Sequence, residues 1–178
     1  MGLEGKRVAV LIEDEYQLQE FNYPFYRLME EGADVKVIGT NRADAFSSHG
    51  YTVKADVKSA DAKAEDFDAV IVPGGYAPDK MRVDADMVAF VRAMDGAGKP
   101  VAAICHAGWV LVSAKIVKGR KVTSVRNVKD DLEAAGGLWS DEAVVIDGNL
   151  ITSRTPGDLP AFAKAVVHAL AQAPATVG

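Results

Sequence analysis

The 178-residue chain has one cysteine, three histidines and no long apolar run, and each scarcity closes a route. A single cysteine permits no intrachain disulfide, so the expected setting is the reducing cytoplasm. The histidines and the cysteine lack metal-ligand spacing, so no zinc and no other cofactor is expected. No segment approaches the roughly 20 apolar residues that span a bilayer. The start of the chain, with Glu4-Gly5-Lys6-Arg7, carries no apolar leader core, so neither a membrane partner nor a secretion signal is expected. Basic residues are outnumbered, 20 Lys and Arg against 25 Asp and Glu, for a formal charge of -5. That balance, with an isoelectric point near 5.2, argues against nucleic acid as a partner.

What is present suits a globular domain: 49% hydrophobic residues and a mean hydropathy of +0.03. The length predicts one domain over residues 1–178, with a tail from Ala171 that should fray. Strand-like and helix-like segments alternate. Strands are predicted over Arg7 to Ile12, Ala33 to Ile38, Ala69 to Val72, Val101 to Ile104 and Lys121 to Val125. Tyr51 to Val57 predicts a small hairpin beside the sheet. A second hairpin joins Val144-Val145-Ile146 to Leu150-Ile151-Thr152 through Asp147-Gly148-Asn149.

Helical spacing covers Tyr16 to Glu31, with Leu18, Phe21, Phe25, Leu28 and Met29 on one side and Pro24 expected to kink it or start its second half. It also covers Asp84 to Gly98, Asn127 to Ala135, and a last segment with Leu159, Phe162, Ala163, Val166, Val167 and Leu170 in one stripe. Gly96-Ala97-Gly98-Lys99-Pro100 has some look of a phosphate loop. It lacks the first glycine and a Ser or Thr after Lys99, and it precedes a strand, so it reads as a helix C-cap. Buried strands alternating with amphipathic helices predict an α/β fold with a mostly parallel sheet covered on both faces.

In such folds sites form beyond the carboxyl ends of strands. Three features fall there: Glu13-Asp14-Glu15, Pro73-Gly74-Gly75 and Cys105-His106. Cys105 follows the apolar run Val101 to Ile104 and precedes the helical Trp109-Val110-Leu111. A thiol at a strand-to-helix junction faces unpaired N–H groups that favour a thiolate. The backbone N–H of His106 is placed to meet a developing oxyanion, and a sharp bend would bring its side chain to the thiol. Gly74-Gly75 suits either a tight turn or a close backbone approach to substrate. An acid held near the thiol would have a raised pKa and could donate to the sulfur; Glu13, Glu15 and Glu20 all remain open on this ground. His49 reads as a turn residue and His168 as solvent-facing.

An ordered set of short motifs runs along nearly the whole chain. It comprises Tyr23-Pro24, Arg27-Leu28, Glu30-Glu31-Gly32, His49-Gly50-Tyr51, Phe67-Asp68-Ala69, Val72-Pro73-Gly74-Gly75 and Ala77-Pro78. It continues through Gly98-Lys99-Pro100-Val101-Ala102, Ile104-Cys105-His106, Lys129-Asp130-Asp131, Ala135-Gly136 and Ser153-Arg154. The set resembles the ThiJ/PfpI superfamily, in its PfpI-type intracellular protease branch.

The resemblance implies a flavodoxin-like three-layer sandwich related to class I glutamine amidotransferases. It implies Cys105 as nucleophile on a strained elbow and Glu20, three residues before Tyr23-Pro24, as the acid that bonds it. It implies Gly75 and His106 N–H groups as the oxyanion hole, with Gly74 beside them. It also implies a homodimer or larger assembly in which Asp79 of a neighbouring subunit completes His106. Asp79 is one methylene shorter than the glutamate such a site would carry, and Ala107-Gly108 replaces the commoner Gly-Pro. Both weigh against efficient proteolysis more than against the fold.

The function so implied is a cysteine-dependent stress-response enzyme acting on carbonyl groups: a peptidase-like hydrolase, or a glyoxalase or deglycase on methylglyoxal-type aldehydes and adducts. Peptides, proteins or small carbonyl compounds are the corresponding partners. A sensor or chaperone built on oxidation of Cys105 is the alternative, with no second cysteine to resolve a sulfenic acid.

Overall fold

The computed structural model describes residues 2–173. The elements begin with β1 (Arg7–Ile12), α1 (Leu18–Glu30), β2 (Asp34–Gly39), β3 (Ala45–Ser48), β4 (Tyr51–Lys54), β5 (Val57–Lys58) and β6 (Ala69–Val72). There follow α2 (Ala77–Met81), α3 (Ala85–Gly96), β7 (Val101–Ile104), a 3-10 turn at Cys105–Ala107 and α4 (Gly108–Ala114). The chain then forms β8 (Lys121–Val122), α5 (Lys129–Ala134), β9 (Leu138–Trp139), β10 (Val144–Asp147), β11 (Leu150–Ser153) and α6 (Leu159–Gln172).

Seven strands form one sheet in the order β10-β11-β7-β6-β1-β2-β5, parallel throughout except for the edge strand β10. Its central members read Val8 to Ile12, Ala69 to Val72 and Val101 to Ile104, all buried, as strands covered on both faces must be. α1 packs with α6, and α3 with α4, giving helices above and below the sheet. The winding direction reverses between β1 and β6, so their carboxyl ends and that of β7 open on one crevice. This is a flavodoxin-like α/β sandwich.

Local differences from the expected elements have physical causes. Lys121 to Val125 yields only the two-residue β8, paired with β9 outside the main sheet, because the Thr123 N–H is taken by the Thr152 hydroxyl at 2.9 Å. The hairpin expected over 51–57 begins earlier. β3 and β4 pair around a His49-Gly50 turn in which both residues have positive φ, and Val57 instead joins the main sheet. α1 runs on through Pro24 and buries Glu20, Phe21, Pro24 and Leu28, leaving Met29 half exposed. The apolar face is thus rotated enough to carry a carboxylate inward. The α6 stripe is buried as its spacing requires, and the helix extends through Gln172, past the point where fraying was expected; residues 174–178 lie outside the described residues.

Candidate active site

Cys105 adopts φ +64°, a left-handed conformation that a side chain occupies only when its surroundings force it. Ile104 and Ala107 on either side are fully buried, and Gly108 has the side chains of Val128 and Leu132 against it, so the turn cannot relax outward. The bend brings two adjacent side chains together: His106 Nδ1 lies 3.3 Å from Cys105 Sγ. Backbone N–H groups of His106 and Gly75 point at the sulfur and draw its pKa down.

Behind the thiol stands Glu20, with no exposed surface. It interacts directly with the Cys105 side chain, and its Oε2 accepts the Gly74 N–H at 2.8 Å. Its Oε1 has no hydrogen-bond partner among the described residues. Burial outweighs these contacts and raises the Glu20 pKa from its ordinary 4.5 to about 7. The same burial, with the Glu20 charge as second cause, pushes the thiol up to about 12. The low-pKa thiol expected at a helix entrance is therefore not what a single chain with ionised Glu20 produces. Once Glu20 takes up its proton near neutral pH, that second cause disappears and a donor to sulfur replaces it.

The raised carboxyl has a consequence for stability. Unfolded chains ionise Glu20 near 4.5, whereas the folded chain keeps it protonated to about 7. Its contribution is therefore fully present below the unfolded value and is lost as pH rises through the folded one. Glu20→Gln cannot ionise. From about pH 5 to about pH 8, wild type should lose about 3 kcal/mol more stability than this variant. Urea melts across that range check it, and parallel curves would refute a buried titrating Glu20.

The other acids at the first strand end are occupied elsewhere. Glu13 is buried against Arg42 and the Thr40 hydroxyl, and Glu15 is exposed and paired with Lys80. Gly74, expected beside the oxyanion donors, gives its N–H to Glu20 Oε2. Gly75, at φ +82°, turns the backbone so that Tyr16 bridges to it, and a Cβ there would sit 2.5 Å from the Glu15 carbonyl oxygen. Asp79 is exposed on α2 beside a cleft of about 610 Å³ shared with Glu13, Arg42 and Lys80. Within one chain no hydrogen bond or ion pair joins it to His106 among the described residues.

Two aromatic neighbours escaped the sequence reading: the Tyr76 ring lies 6.4 Å from that of His106, and the Trp109 ring 5.1 Å on. Trp109 looked only like an apolar helix residue, and Tyr76 carried no signal beyond following Gly75. Tyr76 and Gly75 also line a cleft of about 390 Å³ with Glu15, Gln17, Ser48 and His49. More voluminous clefts, of about 770 and 830 Å³, lie along α1 and α6, away from Cys105.

The model of the DJ-1/PfpI family matches residues 6–169. An uncharacterized protein of Archaeoglobus fulgidus is 44% identical over 92% of this chain and 98% of its own length. Deglycase PfpI of Pyrococcus furiosus is 40% identical over 92% of this chain and 99% of its own. Among solved structures, a two-domain protein from Anabaena variabilis containing DJ-1/ThiJ/PfpI-like and ferritin-like domains superposes with a TM-score of 0.91 at 40% identity, over 93% of this chain. This chain covers 50% of that two-domain protein, about half its length.

Proposed function

The chain belongs to the DJ-1/PfpI family, and on that footing we propose that it is a cysteine-dependent enzyme that removes methylglyoxal-type adducts and aldehydes. The observation that carries this is the approach of His106 Nδ1 to Cys105 Sγ, 3.3 Å, at a strained turn backed by buried Glu20. In the proposed reaction the Cys105 sulfur adds to a carbonyl carbon as the thiol proton passes to His106. The carbonyl π pair moves to oxygen, which turns toward the Gly75 and His106 N–H groups. Protonated Glu20 stabilises the thiolate from behind. With a methylglyoxal adduct, the sulfur takes the place of the amine or thiol, which leaves with a proton. The hydrogen on the former aldehyde carbon then moves to the neighbouring carbonyl carbon, oxidising the first and reducing the second within the substrate. One water hydrolyses the resulting lactoyl thioester to lactate and free Cys105.

The single chain leaves His106 without a carboxylate partner among the described residues. A homodimer or larger assembly in which Asp79 of the partner subunit reaches it would supply one, and the exposure of Asp79 on α2 is compatible with that. None of the described helices is long and apolar enough to cross a membrane, and one cysteine suits a cytoplasmic enzyme of stress defence. The relative named a deglycase supports small carbonyl adducts over folded protein as substrate.

The test offers the wild-type protein three substrates in phosphate buffer: methylglyoxal, its adduct with N-acetylcysteine, and unfolded casein. Lactate from the first two, with free thiol regenerated from the adduct, is the expected result. Faster casein cleavage with no lactate would overturn the carbonyl reading in favour of a peptidase.

A further inference from the structure

Two aromatic rings lie near His106, and the two are held differently. Tyr76, at 6.4 Å and an interplanar angle of 31°, is 68% exposed. Trp109, at 5.1 Å and 56°, is anchored on two sides. Its indole N–H donates to Asp131 Oδ2 on α5 at 2.9 Å. The Arg82 guanidinium, at the end of α2, lies 5.9 Å from the indole ring centre, and its Nε donates to the Ser113 hydroxyl on α4 at 3.1 Å. One side chain thus ties three helices together beside the ring that meets the thiol. A buried core tryptophan would need no such set of polar anchors, because the indole N–H alone requires a partner.

We propose that Trp109 is a positioning residue for His106: its anchored indole forms a fixed aromatic wall, with the exposed ring of Tyr76 farther off, and holds the imidazole with Nδ1 on the Cys105 sulfur. The ring has two flexible torsions, and without a wall it would leave the sulfur for solvent at little cost. A proton carrier displaced by about an ångström loses much of its rate advantage. The charged groups on the elements around His106 are Glu20 on α1, Asp79 and Lys80 on α2, Arg82 just after it, Arg126 on the turn before α5, and Lys129, Asp130, Asp131 and Glu133 on α5. None forms an ion pair with His106 among the described residues. Burial is accordingly the cause of its lowered pKa, and the indole supplies part of that burial.

This inference rests on the proposed enzymatic role of His106, so its test has a readout that does not need turnover. Trp109→Leu, Trp109→Phe and Asp131→Ala are compared with wild type, using Cys105→Ser as the reference for activity. In Trp109→Leu, kcat should fall at least about 10-fold with KM within about 2-fold, as expected when orientation but not binding is lost. Trp109→Phe should recover most of the rate, and Asp131→Ala should fall between them. By NMR, the His106 ring titration should move up toward the ordinary imidazole range in Trp109→Leu and stay near wild type in Trp109→Phe.

An unchanged His106 titration in Trp109→Leu would overturn the proposal. So would a loss of rate that follows a lowered melting temperature and that Trp109→Phe fails to restore. Should Cys105→Ser prove as active as wild type, the enzymatic reading fails, and the NMR titration still decides whether Trp109 positions the ring.

Discussion

Cys105→Ser should lower kcat/KM for the methylglyoxal adduct by at least about 1000-fold, with a melting temperature within a few degrees of wild type. Serine is close to cysteine in size and inherits the same φ of +64°, so the turn keeps its strain and the surrounding packing its shape. The chemistry does not survive. A hydroxyl remains protonated where a thiol can ionise, and the hydrogen bond to His106 alone does not supply the missing nucleophilicity. The sulfur's two backbone donors, from His106 and Gly75, would meet a neutral oxygen instead of a thiolate. Lactate formation and thermal melts on the same preparation check both halves. Activity within about 10-fold of wild type would remove Cys105 from the reaction and leave the site without a nucleophile.

Gly74→Ala should be the most damaging small substitution in the site, through sterics. A Cβ at this position would lie 2.5 Å from Glu20 Oε2, 2.7 Å from Cys105 Cβ and 3.0 Å from the Ile104 carbonyl oxygen. None of these neighbours can yield cheaply. Glu20 and Ile104 are fully buried, and Cys105 sits on a turn already held in a left-handed conformation. The added methyl must push Glu20 off the Gly74 N–H or drive the β6 and β7 strand ends apart. We expect a loss of about 3 kcal/mol, which is roughly 6–12 °C in melting temperature for a domain of this size, together with loss of turnover. Gly96→Ala is the control. Its Cβ would meet nothing within 4 Å, and alanine favours the helix, so that variant should melt no lower than wild type. Equal melting of the two variants would mean that the strand ends are not packed as described.

The parts of the fold legible in the sequence are those set by local pattern. The buried runs Val8 to Ile12, Ala69 to Val72 and Val101 to Ile104 stand as central parallel strands because continuous apolar sequence has no other place to go. The α6 stripe and the Asp147-Gly148-Asn149 hairpin likewise follow from periodicity and turn chemistry. The misreadings came where a distant residue decided the outcome. Lys121 to Val125 looked like a strand until the Thr152 hydroxyl, 29 residues from Thr123, took its backbone donor.

The same division runs through the site. By itself the sequence determined that Cys105 lies at a strand-to-helix junction, that glycines and acids gather at neighbouring strand ends, and that a parallel sheet must bring those ends to one crevice. Local composition suffices for that, because it sets which segments are buried and where they stop. Residue types alone left Glu13, Glu15 and Glu20 open and the family motifs pointed to Glu20; the tertiary structure shows why that acid meets the thiol. Arg42 and Lys80, brought in from other segments, occupy Glu13 and Glu15, while α1 turns Glu20 inward to Gly74 and Cys105. It also decided that His106 and Cys105 touch and that Trp109 stands beside them. Such contacts depend on the directions of side chains from segments far apart in the chain, and those directions are set by packing, which no local pattern encodes.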